Sequence, residues 1–288
     1  MNYRDLGRDD FKLKLLLGMG KTAQVYLAEA PDGLEVALKL PRKEVREDER
    51  LSQMFAQEVR LSMGLRHPNL LRGYAGKPFG DRAFVALEYM PDGTLENLIH
   101  KGHAFSVEEA LSYISQITSA LLYLHGRGII HQDVKPSNVF IDDKVAKLGD
   151  FGVARTKDNQ NPFERAGSPF YMAPELFRGQ PASPASDAYS LGIMAYELLL
   201  GRRPFYGETF DALMAAHLTQ APPPLPSNAI APKLQKQISG LLAKDPAKRT
   251  PLDKLLRALT GKFTVEITPK AVKAKNKPWY KKLFWRKK

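Results

Sequence analysis

The chain has 288 residues, is 43% hydrophobic and contains no cysteine. That is enough apolar material for one large domain or two modest lobes, and it excludes disulfides and thiolate metal sites. The formal net charge of +12 sits mostly at one end, where residues 262–288 carry ten Lys or Arg and one Glu; the basic balance therefore belongs to a tail and does not mark a nucleic-acid-binding domain.

The opening stretch, MNYRDLGRDD, has no apolar leader, and no apolar run reaches membrane-spanning length. Together with the missing cysteines this points to a reducing cytoplasm.

From Phe11 to Leu40, short apolar runs alternate with turn residues. Phe11 to Leu17, Tyr26 to Ala30 and Leu34 to Leu40 predict three strands, separated by a glycine-bearing hairpin and by Pro31-Asp32-Gly33. The hairpin reads Gly18-Met19-Gly20-Lys21-Thr22-Ala23-Gln24-Val25, and glycines there let a backbone fold closely over phosphates. Gly20-Lys21-Thr22 imitates the end of a P-loop. That motif needs a glycine where Leu15 stands and a helix where Val25-Tyr26-Leu27 reads as a strand, so it is rejected.

Residues 47–66 predict a helix, with Leu51, Phe55, Ser62 and Leu65 at helical spacing and Met54 and Val59 flanking. Glu58 falls on the same stripe. An inward carboxylate needs a partner, and Lys39, itself misplaced in an apolar strand, is the candidate.

Phe84 to Met90 predicts a buried strand that runs into the turn Pro91-Asp92-Gly93, where the pattern changes. Beyond it, Ser106 caps a helix with an acidic first turn that continues to His125. A strand-rich small lobe thus precedes a helix-rich large one.

Within the large lobe, His131-Gln132-Asp133-Val134-Lys135-Pro136-Ser137-Asn138 gathers a carboxylate, an ammonium and an amide in eight residues. Such a set suits phosphoryl transfer: a base for a hydroxyl proton, a cation for charge on the moving group, and an oxygen ligand for a metal. The same composition also describes an ordinary surface loop, so its surroundings decide. Asp150-Phe151-Gly152 and Ala173-Pro174-Glu175 follow, and Lys39, Glu58 and the glycine hairpin precede it in order. Over residues 11 to 259 the chain resembles the eukaryotic-type (Hanks-type) Ser/Thr protein kinase family.

That resemblance implies an α+β, bilobal protein-kinase fold with ATP in the cleft. The N-lobe would span residues 1–90, the C-lobe 91–261, and a basic aromatic tail 262–288. Gly18, Met19, Gly20, Lys21, Thr22 and Ala23 would cover ATP, with Val25 and Ala37 against adenine and Phe140 beneath it. Lys39 would hold the α- and β-phosphates and pair with Glu58. The carbonyl of Glu88 and the amide of Met90 would read the adenine edge behind a gatekeeper Leu87. Asp133 would orient the acceptor hydroxyl and take its proton, and Asn138 and Asp150 would hold Mg²⁺, with Mn²⁺ as an alternative ion. Lys135 and the segment Gly167 to Met172 point to Ser or Thr hydroxyls on protein substrates, with Ser168 touching Asp133 and Lys135. Asp187 would brace the backbone near His131, and Arg249 would pair with Glu175. The proline-rich stretch 221–226 reads as an inter-helix loop. The absence of a sensor domain within these residues resembles bacterial members of the family.

Three positions depart from the family pattern. Ala23 replaces a glycine, and Ser62 stands where a larger apolar residue is usual, which would loosen the helix bearing Glu58. Gln132 replaces an arginine that in many kinases pairs with a phosphorylated activation segment, so the electrostatic reason for switching by loop phosphorylation is missing. Gln132 and Ser62 are also the features that a catalytically weak kinase-fold scaffold would show.

The tail ends in Lys277-Pro278-Trp279-Tyr280-Lys281-Lys282-Leu283-Phe284-Trp285-Arg286-Lys287-Lys288. Tryptophans among lysines suit an anionic membrane surface through residues 276–288, at the inner membrane face. A solvated tail with some rings packed on the domain fits equally, and nucleic acid is the least favoured partner.

Overall fold

The structure, a computed structural model, describes residues 2–156, 167–226 and 229–261. Its N-terminal part is an antiparallel sheet of β1 (Lys12–Met19), β2 (Ala23–Glu29), β3 (Glu35–Pro41), β4 (Gly73–Lys77) and β5 (Phe84–Glu88), in the order β1-β2-β3-β5-β4. Across the sheet, Val25 pairs with Lys39 and Lys39 with Val85, while Leu27, Ala37 and Leu87 line up one step along. Side chains alternate along a strand, so Val25, Lys39, Ala37, Val85 and Leu87 share one face. Helix α2 (Glu49–Gly64) covers that face, and its Phe55 and Val59 join Val85, Leu87 and Met90 in one buried cluster. The other face carries Val36, Leu38 and Ala86 under Phe11.

The helix expected over 47–66 is α2, which runs from Glu49 to Gly64 and is preceded by a separate short helix. Helix α1 (Lys43–Glu47) ends at Asp48, whose extended backbone and side-chain bond to the Leu51 amide, 2.8 Å, start α2. A capping carboxylate offers the backbone an alternative that periodicity does not reveal. Ser62 is buried, and β4 passes close to its backbone: a Cβ on Gly73 would lie 2.9 Å from the Ser62 carbonyl carbon.

The remainder is mainly helical: α3 (Leu95–His100), α4 (Val107–His125), α5 (Pro174–Phe177), α6 (Pro184–Leu200), α7 (Phe210–Thr219), α8 (Pro232–Gly240) and α9 (Leu252–Thr260). Ser106 caps α4 through the Glu109 amide, and α6 is buried along most of its length, as its apolar sequence requires. Two small antiparallel pairs, β6 (Ile129–Ile130) with β9 (Arg155–Thr156) and the hairpin β7 (Val139–Asp142) with β8 (Val145–Leu148), sit where this part meets the sheet. The junction is hydrogen-bonded: the Leu71 amide donates to Leu148 and the Leu148 amide to Asn69, each at 2.9 Å. Residues 221–226 form no helix or strand. No helix among the described residues is long and apolar enough to cross a membrane. The basic tail, and with it the expected membrane-facing segment 276–288, lies outside the described residues.

Candidate active site

On the covered face of the sheet, Lys39 Nζ lies 2.6 and 2.7 Å from the two carboxylate oxygens of Glu58. Asp150 Oδ1 is 3.7 Å from the same nitrogen. Burial opposes the charge on Lys39, but Asp150 and Glu58 outweigh it and hold the ammonium above its ordinary pKa. In turn the Lys39 ammonium, aided by His131 and Lys135, holds Asp150 below the usual carboxylate range against the effect of burial. The amide nitrogen of Gln57, next to Glu58, donates to the carbonyls of Phe151 and Ala154. Helix α2 is thereby fastened to the Asp150 segment by neutral hydrogen bonds.

The loop from His131 to Asn138 follows β6. Gln132 and Asp150 both adopt left-handed backbone conformations, φ 68 and 63, which cost non-glycine residues about 1 kcal/mol or more. The surroundings enforce them. Asp187, at the start of α6, is fully buried and accepts the amides of His131 and Gln132 at 2.9 and 2.8 Å, with His125 Nε2 at 2.8 Å. His131 is also buried, with Nε2 3.0 Å from the Gly149 carbonyl and its ring edge-on to Phe151. Gly167 completes the frame: at φ +100, a Cβ there would lie 2.7 Å from the Gln132 carbonyl.

Inside this frame both oxygens of Asp133 are engaged. Oδ2 lies 2.6 Å from Lys135 Nζ and 2.9 Å from Asn138 Nδ2, and Oδ1 accepts the Ser168 amide at 3.1 Å. The contact to Ser168 is therefore made by its backbone, where the sequence suggested a direct touch without saying which group. Asn138 directs both amide protons at Asp133, to the carbonyl oxygen at 2.8 Å and to Oδ2. Its own amide oxygen is left as an acceptor. That oxygen and the Asp150 carboxylate are hard donors of the kind Mg²⁺ takes, so this pair fits a magnesium ion that keeps other ligands from water and phosphate.

Toward the hinge, the connection that leaves β5 at Glu88 and leads into α3, Ala37, Leu87, Met90 and Phe140 belong to one apolar cluster, with Val25 on the same sheet face. Gly18 and Met19 are the exposed end of β1, Gly20, Lys21 and Thr22 form the exposed tip between β1 and β2, and Ala23 is buried at the start of β2. A Cβ on Gly18 would meet nothing within 4 Å, so the fold itself does not demand glycine there. Glu88, at the end of β5, directs its side chain to Lys147.

The structure brings together Lys39, Glu58 and Asp150 on one side, and Asp133, Lys135 and Asn138 on the other. Farther off, Glu175 and Arg249 form two bonds of 2.6 Å. Sequence reasoning missed Gln57 and Lys147. Gln57 lies beside the inward stripe of α2 with no feature to single it out; Lys147 is a lysine in a short apolar strand, the same signal that marked Lys39.

Two packed lobes with these groups at their junction define the class of protein. The family description "Protein kinase domain" matches residues 11–259. A Ser/Thr-protein kinase of Corynebacterium efficiens, drp72, is 32% identical over 251 residues, covering 83% of this chain and 48% of the relative. An Aurora kinase of Yarrowia lipolytica is 34% identical over 252 residues, covering 86% and 67%. The Ser/Thr-protein kinase PknA of Mycobacterium tuberculosis is 33% identical over 251 residues, covering 83% and 58%. The chain belongs to the protein kinase domain family, in its eukaryotic-type Ser/Thr branch. It spans about half the length of the first of these relatives.

Proposed function

We propose that this chain transfers the γ-phosphoryl group of ATP to Ser or Thr hydroxyls of protein substrates. The observation that carries the reading is Asp133, whose carboxylate is aimed and held by Lys135, Asn138 and the Ser168 amide. As the acceptor oxygen bonds to phosphorus, its proton passes to Asp133, and the bond to the β–γ bridging oxygen breaks with its electron pair leaving on ADP. Lys135 stabilises negative charge on the transferring group, and Lys39, steadied by Glu58, holds the phosphates of the nucleotide. Asn138 and Asp150 hold the magnesium ion, which neutralises phosphate charge when bound. Ala37, Leu87, Met90 and Phe140 enclose adenine.

The alternative, a kinase-fold scaffold, has no chemical need for Lys39, Asp133, Asn138 and Asp150 together. Incubation with Mg²⁺, labelled ATP and a generic protein substrate separates the two. Transfer should occur and fall by about a hundred- to ten-thousand-fold in Asp133→Ala. Wild-type transfer no greater than that of the variant would leave the scaffold reading standing.

We also propose that residues 276–288 bring the chain to an anionic membrane surface, supported by their tryptophans among lysines. Co-sedimentation with vesicles containing anionic lipid should be lost on deleting 276–288, and binding that survives the deletion would end this proposal.

A further inference from the structure

A hinge can read the edge of a nucleotide base only if its own backbone is held in place. Residues 92 and 93 are tied to β7: the Asp92 amide donates to Ile141 at 3.2 Å, the Ile141 amide to Gly93 at 2.8 Å, and the Asp143 amide to Asp92 Oδ2 at 2.7 Å. Glu88, whose carbonyl is the one expected to meet adenine, is tied to the large lobe differently. Its backbone amide donates back to Arg72, 2.8 Å, within the sheet region. Its side chain crosses to β8, where Lys147 Nζ lies 2.7 Å from each carboxylate oxygen. Both side chains are shielded, 16% exposed for Lys147 and 24% for Glu88. Lys147 pairs directly with Phe140 in the β7–β8 hairpin, so the two stand on the same face.

From this geometry, and resting on the kinase reading above, we propose that Lys147 is a positioning residue for nucleotide binding. Acting through the Glu88 carboxylate, it locks the hinge backbone at a fixed height beside Phe140. One end of the adenine slot and its floor then move as a unit. Without Lys147 a half-buried carboxylate loses its partner and the hinge gains freedom that ATP must remove on binding. Adenine is held alike before and during transfer, so the loss falls on ground state and transition state equally. KM for ATP rises while kcat stays.

The test uses the full chain, measuring ADP affinity with Mg²⁺ by calorimetry and KM and kcat for ATP by phosphoryl transfer. Lys147→Met should weaken ADP binding and raise KM by about tenfold, whereas Lys147→Arg should stay within about twofold of wild type. Glu88→Gln should reproduce Lys147→Met, and the double variant should be no worse than either single one. Should Lys147→Met fold poorly, the exchanged pair Glu88→Lys with Lys147→Glu serves instead, with ADP affinity recovered relative to Glu88→Lys alone. Unchanged ADP affinity in Lys147→Met, additive losses in the double variant, or a fall in kcat at constant KM would overturn the proposal. A wild-type chain that binds no ADP would defeat the kinase reading itself, whereas equal binding by wild type and Lys147→Met defeats only the role given to Lys147.

Discussion

Lys39 and Glu58, 19 residues apart on a strand and a helix, meet with both carboxylate oxygens of the glutamate on one ammonium. The pair is largely shielded from water, so removing one partner leaves the other charge buried and uncompensated. Lys39→Met should destabilise the fold by about 3 kcal/mol and abolish measurable transfer, and Lys39→Met with Glu58→Leu should regain stability but no activity. Urea unfolding beside a transfer assay checks both halves. If the double variant regained activity, the pair would have no catalytic role.

A second buried pair lies far from the cleft. Glu175 and Arg249 are 74 residues apart and only 3% and 2% exposed, and Ser186 also donates to the glutamate. Burial raises the Glu175 pKa, but the Arg249 hydrogen bonds and charge outweigh it and leave the carboxyl below its ordinary value. A depressed carboxylate stabilises the fold above the unfolded pKa, about 4.3, and that contribution is lost as pH falls through the folded value. Arg249→Met should cost about 3–5 kcal/mol near neutrality, and that cost should shrink as pH falls, because the orphaned buried carboxyl favours its protonated form and the folded chain then takes up the proton more readily than the unfolded one. Urea unfolding of the two proteins at neutral and at acid pH measures the change; a cost that stays constant would contradict it.

His217 offers the opposite sign. It is fully buried among Phe177, Tyr189 and Phe205, and burial together with Lys244 and Arg203 lowers its pKa to about 4. The unfolded chain takes up this proton near pH 6.5 while the folded chain refuses it until about 4, so stability is lost as pH falls between those values. Between pH 7 and 4.5 the wild type should lose about 2 kcal/mol more than His217→Gln, read from urea midpoints at each pH. Parallel losses would show that the histidine does not titrate in that window.

Helix α2 is fastened to the Asp150 segment by Gln57, and Gln132 has no charge to offer a phosphate. Phosphatase-treated protein should therefore keep most of its activity. The measurement is transfer before and after phosphatase treatment, with Thr156→Ala in parallel. Near-complete loss in both would mean that loop phosphorylation is required.

Much of the candidate site was legible because its residues are local in sequence. Asp133, Lys135 and Asn138 fall within one short loop, and Asp150 follows within a few turns of chain, so their order beside the other motifs carries the family resemblance. Lys39 and Glu58 were legible for another reason: each is a charge on an apolar stripe, and such charges need partners. Strand β4 escaped, since Gly73-Tyr74-Ala75-Gly76-Lys77 has neither alternation nor β-branched residues. Its glycines are there because α2 and β5 press against it; a Cβ on Gly76 would lie 2.8 Å from Val59.

The sequence by itself determined the order of chemical groups, the strand-rich first part and helix-rich second, and the family. It did so because motif spacing and hydrophobic period are properties of neighbouring residues. Only the tertiary structure decided that Lys147 reaches Glu88 across 59 residues, that the Ser168 amide and not its hydroxyl meets Asp133, and that Asp187 holds Gln132 in a left-handed turn. Those are contacts between separate elements, set by how sheet, hairpins and helices pack. No local pattern records which donor a folded chain will bring to a given acceptor.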